Sequence, residues 1–151
     1  MRTYKFKRGS NYIVAKLQNI AYIELYQQAQ GGNVRQQVQE DIYRHIKSDA
    51  VDKKINPEKQ NRHIRHSDGY IPGRSYLFDG IDAQGLVDKY HGTGIISITM
   101  TGNWKNNETV IADIDVGVNI NPTTGEETTT NRFTIHYSKT GTHIVPAERR
   151  W

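Results

Sequence analysis

The sequence predicts an α+β domain in which N-terminal helices pack on a four-stranded, twisted antiparallel β-sheet. Three observations lead there. Apolar residues in the first 50 positions recur every three to four residues, the period of a helix. From residue 95 onward the spacing drops to two, the period of a half-buried strand. The strand candidates follow one another with turn residues between them, as in an antiparallel meander.

Residues 1–10 form a basic lead-in. A helix is expected over 11–30, with Ile13, Leu17, Ile20 and Leu25 on one face and Gly31-Gly32 ending it. A second is expected over 33–49, where Val34, Val38, Ile42 and Ile46 repeat every four residues. Residues 1–50 thus read as a helical extension or linker, and 51–151 as the domain proper. Asn56-Pro57 opens the next helix: Asn suits the cap, Pro the first position, and Glu58 the positive end of the dipole. That helix is expected to end near 64–66, with Lys59 and His63 sharing a face. A short strand follows over 74–78. Asp82 caps a further helix that buries Leu86, Val87 and Tyr90, and Gly92 and Gly94 close it. Strands are then expected over 95–101, 109–120, 128–137 and 142–145. No Gly-Lys-Ser/Thr follows Gly92-Thr93-Gly94, so it is not a phosphate loop.

At 151 residues, with 35% hydrophobic and a mean hydropathy of −0.75, the chain holds one modest core under a polar surface. Without cysteine it has no disulfide, thiolate metal site or cysteine nucleophile. No apolar run approaches the ~18–20 residues of a membrane span, and the basic N-terminus lacks the apolar core of a signal peptide. The net charge of +4 is unevenly spread. Residues 44–74 hold eight Lys/Arg against four Asp/Glu; residues 81–130 hold two against seven. A basic segment beside an acidic one suggests a polyanion site on one side, though a mixed solvated surface has the same composition.

The chemistry concentrates in the hairpin of residues 133–146. Phe133, Ile135 and Tyr137 alternate with Thr134 and His136; Ser138-Lys139-Thr140-Gly141 supplies the turn; Pro146 stops the return strand. With Ser138 opposite Gly141, His136 faces His143. A slip of one residue, or a bulge at Gly141, parts them. Metal-free RNA cleavage by the 2′-hydroxyl needs a base, an acid and cations for the phosphoryl oxygens. His63, His136 and His143 suit the proton roles, with Lys59, Arg74 and Lys139 as cations and Ser75, Ser138, Thr140 and Tyr137 as donors. His63-x-x-His66 also has the spacing of half a metal site, without a third ligand. His45 and His91 read as capping or solvent-facing, and Trp104 and Phe133 as core.

Asn56-Pro57-Glu58-Lys59-Gln60-x-Arg62-His63-Ile64 resembles the opening signature of the polymorphic toxin type 50 domain. Gly73-Arg74-Ser75-Tyr76-Leu77, Asp82-Ala83-Gln84-x-Leu86-Val87, Tyr90-x-Gly92-Thr93-Gly94 and the closing run from His136 to Pro146 match it too. The resemblance covers residues 55–147. It implies the ribonuclease fold shared by barnase, EndoU, colicin tRNases and RelE (BECR). It further implies a place in a larger bacterial toxin or phage-head protein, delivery by a secretion system or phage, action in the target-cell cytoplasm, and a cognate immunity protein. By the resemblance, the catalytic positions are Lys59, His63, Arg74, Ser75, His136, Thr140 and His143. The family's Gly-Thr after the first histidine is His66-Ser67 here, which leaves the role of Ser67 open.

The expectation is thus a toxin ribonuclease cutting RNA, with tRNA as a candidate substrate, to a 2′,3′-cyclic phosphate without cofactor. His63 is the base and His143 or His136 the acid. Lys139, Tyr137, Ser67 and Arg62 are candidate substrate contacts. Two other readings stand beside it: a nuclease-like module that binds nucleic acid or a partner without cutting, and a metal nuclease using His63 and His66.

Overall fold

The computed structural model describes residues 6–7, 10–11 and 34–149. The chain divides into two compact units, Met1–Ser48 with Ile96–Lys105 and Asp49–Ile95 with Asn106–Trp151. In the first, β1 (Phe6–Lys7) pairs antiparallel with β2 (Ser10–Asn11). Its helix α1 (Val34–Lys47) buries Val38, Ile42 and Ile46, the stripe expected from the fourfold repeat. Arg44, His45 and Lys47 in the last turn suit the negative end of the dipole. The helix expected over 11–30 lies outside the described residues.

The second unit opens with α2 (Pro57–Asn61). Asn56 has the extended backbone of a cap, and its Oδ1 accepts from Lys59 N at 3.1 Å. The helix stops earlier than the sequence suggests. Ile64 turns out to bridge Leu77 in parallel, and Leu77 N donates to the His63 carbonyl at 3.0 Å. His63 therefore sits on the turn leaving the helix, not on its body. The strand β3 (Tyr76–Leu77) leads to α3 (Ala83–Tyr90), which buries Val87 completely. Asp82 holds the cap position, but its carboxylate makes no capping bond.

The α+β class holds, and the expected four-stranded sheet is joined by a second sheet of three strands. The strands are β4 (Ile95–Ile98), β5 (Trp104–Ile111), β6 (Gly117–Ile120), β7 (Glu127–Thr130), β8 (Arg132–His136) and β9 (His143–Pro146). They form one sheet in the order β4-β5-β8-β9 and another in the order β3-β6-β7. The strands expected over 109–120 and 128–137 are each split between the two. Ile111 pairs with Arg132 and Gly117 with Thr130, so five residues, 112–116, face Asn131 alone. Ala112 N donates to the Asn131 carbonyl at 2.8 Å, and Asn131 Nδ2 returns a bond to the Ala112 carbonyl at 3.0 Å. This five-residue bulge bends one long hairpin across two sheets. Alternating apolar residues run through the bend, so periodicity did not reveal it. At Gly117 a methyl group would collide with the Tyr76 carbonyl, so only glycine lets β3 pair there.

Phe133, Ile135, Ile144, Val110 and Val87 are fully buried or nearly so, and the Tyr90 ring meets Phe133 edge to face at 6.0 Å. Among the described residues no helix is long and apolar enough to cross a membrane.

Candidate active site

Period-two alternation sends Phe133, Ile135 and Tyr137 into the core and leaves His136 on the opposite, half-buried face. The turn closes with Gly141 N donating to the Ser138 carbonyl at 3.2 Å, Gly141 having a φ of 107° that other residues rarely adopt. Thr142 Oγ1 donates to the His136 carbonyl at 2.6 Å. His136 and His143 are direct cross-strand partners, the first of the two registers the sequence allowed. Their rings stack at 5.0 Å between centroids, 18° from parallel. The His63 ring stacks on His143 at 5.8 Å and 13°. Three imidazoles thus form a column with His143 in the middle.

Two side chains of the α2 segment hold that column together. Gln60 is buried and grips the backbone of Ile144, accepting its N–H at 2.8 Å and donating to its carbonyl at 3.0 Å. Asn56 Nδ2 donates to the Thr140 carbonyl at 2.7 Å, and Asn56 N to the Thr142 carbonyl at 2.8 Å. The helix so borrows the free side of β9, and His63, three residues beyond Gln60, is delivered to His143. Lys59 Nζ donates at 2.8 Å to both Ser138 Oγ and Thr140 Oγ1, which places an ammonium at the hairpin turn.

His63 is only 4% exposed. Its Nδ1 lies 2.8 Å from the Ser75 carbonyl, which can only accept. Neutral His63 therefore carries its proton on Nδ1 and keeps a lone pair on Nε2. Burial pushes its pKa below the ordinary imidazole value; the Ser75 bond partly opposes this, and the Arg74 and Arg62 charges add to it. Burial, then the charge of His63, lowers His136. His143 is pushed down to about 4, by burial first and then by the charges of His136, His63, Lys59 and Arg62. Near neutral pH the column is thus uncharged and rimmed by cations. His143 Nδ1 is buried and makes no hydrogen bond among the described residues.

The other expected residues fall in varied places. Arg62 and Arg74 are exposed and close enough to bias His63 electrostatically. Lys139 and Thr140 are exposed at the turn. The Ser75 hydroxyl is occupied, accepting Ile120 N at 2.9 Å and facing Asn119 Oδ1 at 3.4 Å. Ser67 Oγ donates to the Asn61 carbonyl at 2.7 Å and closes the turn after α2. The Tyr137 hydroxyl donates to Glu108 at 2.6 Å, inside the core; burial and that carboxylate raise its pKa. Exposed His66 lies 3.4 Å from Asp79 Oδ2. Among the described residues, no group of three or more His, Asp and Glu is arranged to hold a metal ion.

Sequence reasoning missed Gln60 and Glu108. Gln60 stands in the family signature, but nothing local marks its role. Glu108 had a signal: it shares strand parity with Val110, so it points inward. There its carboxylate accepts Gly92 N and Gly94 N, each at 2.7 Å, as well as Tyr137, and ties the end of α3 to the hairpin.

No curated protein matches the sequence. The family model of bacterial toxin 50 matches residues 55–146, from the segment that docks beside Thr142 to the last residue of β9. That span holds all three stacked histidines and covers more than half of the chain, which therefore belongs to the bacterial toxin 50 family.

Proposed function

We propose that this bacterial toxin domain is an endoribonuclease that cleaves RNA by transesterification without a metal cofactor. The observation that carries this reading is the stacking of His63 on His143 at 5.8 Å, with Nε2 of His63 left free as an acceptor. His63 takes the proton of a 2′-hydroxyl. The 2′-oxygen bonds to phosphorus as the bond to the 5′-oxygen breaks, and His143 gives that oxygen a proton. His136, stacked on His143 from the other side, shares the protonic load of the column. Lys59, Arg62 and Arg74 hold the phosphoryl charge, Thr140 donates to it, and Lys139 extends the cationic rim. Ser75 serves through its carbonyl, Ser67 and Tyr137 through the frame. The product is a 2′,3′-cyclic phosphate and a 5′-hydroxyl.

The helix-to-hairpin docking is consistent with kinship to the BECR ribonucleases. We further infer a delivered effector that acts on RNA, tRNA among it, in the target-cell cytoplasm, carried by a larger toxin or phage protein and restrained by an immunity protein. Incubation of the purified chain with total tRNA in EDTA tests the core of this reading. Cleavage is expected. Retention of intact tRNA, weakening steeply with salt, favours a binding module instead, and loss of cleavage on adding EDTA favours a metal nuclease.

A further inference from the structure

A cleft of about 490 Å³ opens over β6 and β7, lined among others by Asp115, Asn119, Glu126, Thr128, Glu148 and Arg149. Asn119 and Thr128 are cross-strand partners, so their side chains share one face of the sheet. Asn119 also leads to the histidines. Its Oδ1 faces the Ser75 hydroxyl at 3.4 Å, and the Ser75 carbonyl holds His63 Nδ1 at 2.8 Å. One residue therefore separates the wall of the cleft from the candidate base.

The cleft and the column have opposite electrostatic character. Lys59, Arg62 and Arg74 surround the column. Among the described residues that line the cleft the only cation is Arg149, and Asp115 takes it up at 2.6 Å. The carboxylates of Glu126 and Glu148 make no hydrogen bond or ion pair among the described residues. Such a cleft repels phosphate and attracts hydrogen-bond donors. A ribonucleotide is divided in the same way, with an anionic phosphate at one end and a base edge carrying N–H groups at the other. The volume falls within the roughly 300–1,000 Å³ of small-molecule sites.

We propose that this cleft binds the base of the nucleotide whose phosphate lies at His63 and His143, and that it selects bases bearing an exocyclic amino group over uracil. The inference rests on the ribonuclease reading for the placement of the phosphate. An NMR titration of the whole chain with cytidine 3′-monophosphate and with uridine 3′-monophosphate tests it, because the shared phosphate cancels the contribution of the cations. The cytidine nucleotide is expected to shift the amides of Asn119 and Thr128 and to bind about tenfold more tightly, the worth of one charge-assisted hydrogen bond. Glu126→Ala combined with Glu148→Ala, both exposed positions, is expected to remove that preference while the histidine shifts persist. Equal affinity for the two nucleotides, or shifts confined to the histidines, overturns the proposal. RNA cleavage is scored separately: a chain that binds cytidine in the cleft yet cuts no RNA refutes the nuclease reading and leaves the base site standing.

Discussion

His143 lies between two other imidazoles, and that position governs how it titrates. Its pKa is pushed from 6.5 down to about 4, and those of His63 and His136 are lowered as well. In the unfolded chain each imidazole takes a proton near 6.5, whereas in the folded chain each resists. Below that value the unfolded state binds more protons, so stability falls as pH falls, and the His143 contribution levels off below about 4. Urea midpoints at about pH 7.5 and about pH 5.5 should show this loss, and His143→Gln should shrink it. The proposed catalysis follows the same logic. The base must be neutral and the acid charged, and both working groups titrate below the ordinary range, so kcat/KM is expected to peak below pH 6.5 and fall above it. A profile still rising at pH 8 would exclude the pair. The residue types of the site were legible in the sequence because few side chains move protons near neutrality. Their partners were less so. The alternation that predicted the strand already put Tyr137 beside Phe133 and Ile135, facing the core, but only folding shows that its hydroxyl meets Glu108.

At the scale of elements, the site depends on one short helix gripping one strand. Gln60→Leu keeps the bulk but strips the Ile144 backbone of both partners. A loss of roughly 1–3 kcal/mol in urea unfolding is expected, with activity falling further because His143 loses its register against His63. An unchanged unfolding midpoint would show that the clamp does not bear on stability. Glu108→Gln presents an amide N–H₂ where three donors converge, and should cost about 2–3 kcal/mol by the same measurement. The helix starts were readable, since Asn56-Pro57 is local chemistry. The length of α2 was not: its end is set by Ile64 pairing with Leu77, a contact thirteen positions away in the chain. The bend at 112–116 escaped for a related reason. A bulge of this kind is defined by how many residues face the partner strand, and that count exists only once β5 and β6 have found β8 and β7.

Across the whole molecule, the uneven charge seen in the sequence becomes a division of labour. The basic stretch 44–74 supplies Lys59, Arg62 and Arg74 to the histidine column. The acidic stretch 81–130 supplies Glu108 to the core and Glu126 to the cleft. Composition could say that such regions exist, not which carboxylate is buried and which is open. Arg62→Ala and Arg74→Ala, both exposed, should leave folding unchanged and weaken RNA binding, with a shallower salt dependence for each charge removed. The proposed chemical step is proton transfer by His63 and His143 at one phosphodiester. It is tested most directly by the ends of the cut RNA. A defined single-stranded RNA is incubated in EDTA with the wild-type chain, with His63→Ala and with His143→Ala, and the fragments are read by mass spectrometry. 2′,3′-Cyclic phosphate ends are expected from the wild type, with at least ~100-fold slower release of them by each variant. Undiminished cleavage by both variants, or 3′-hydroxyl ends from the wild type, would contradict it.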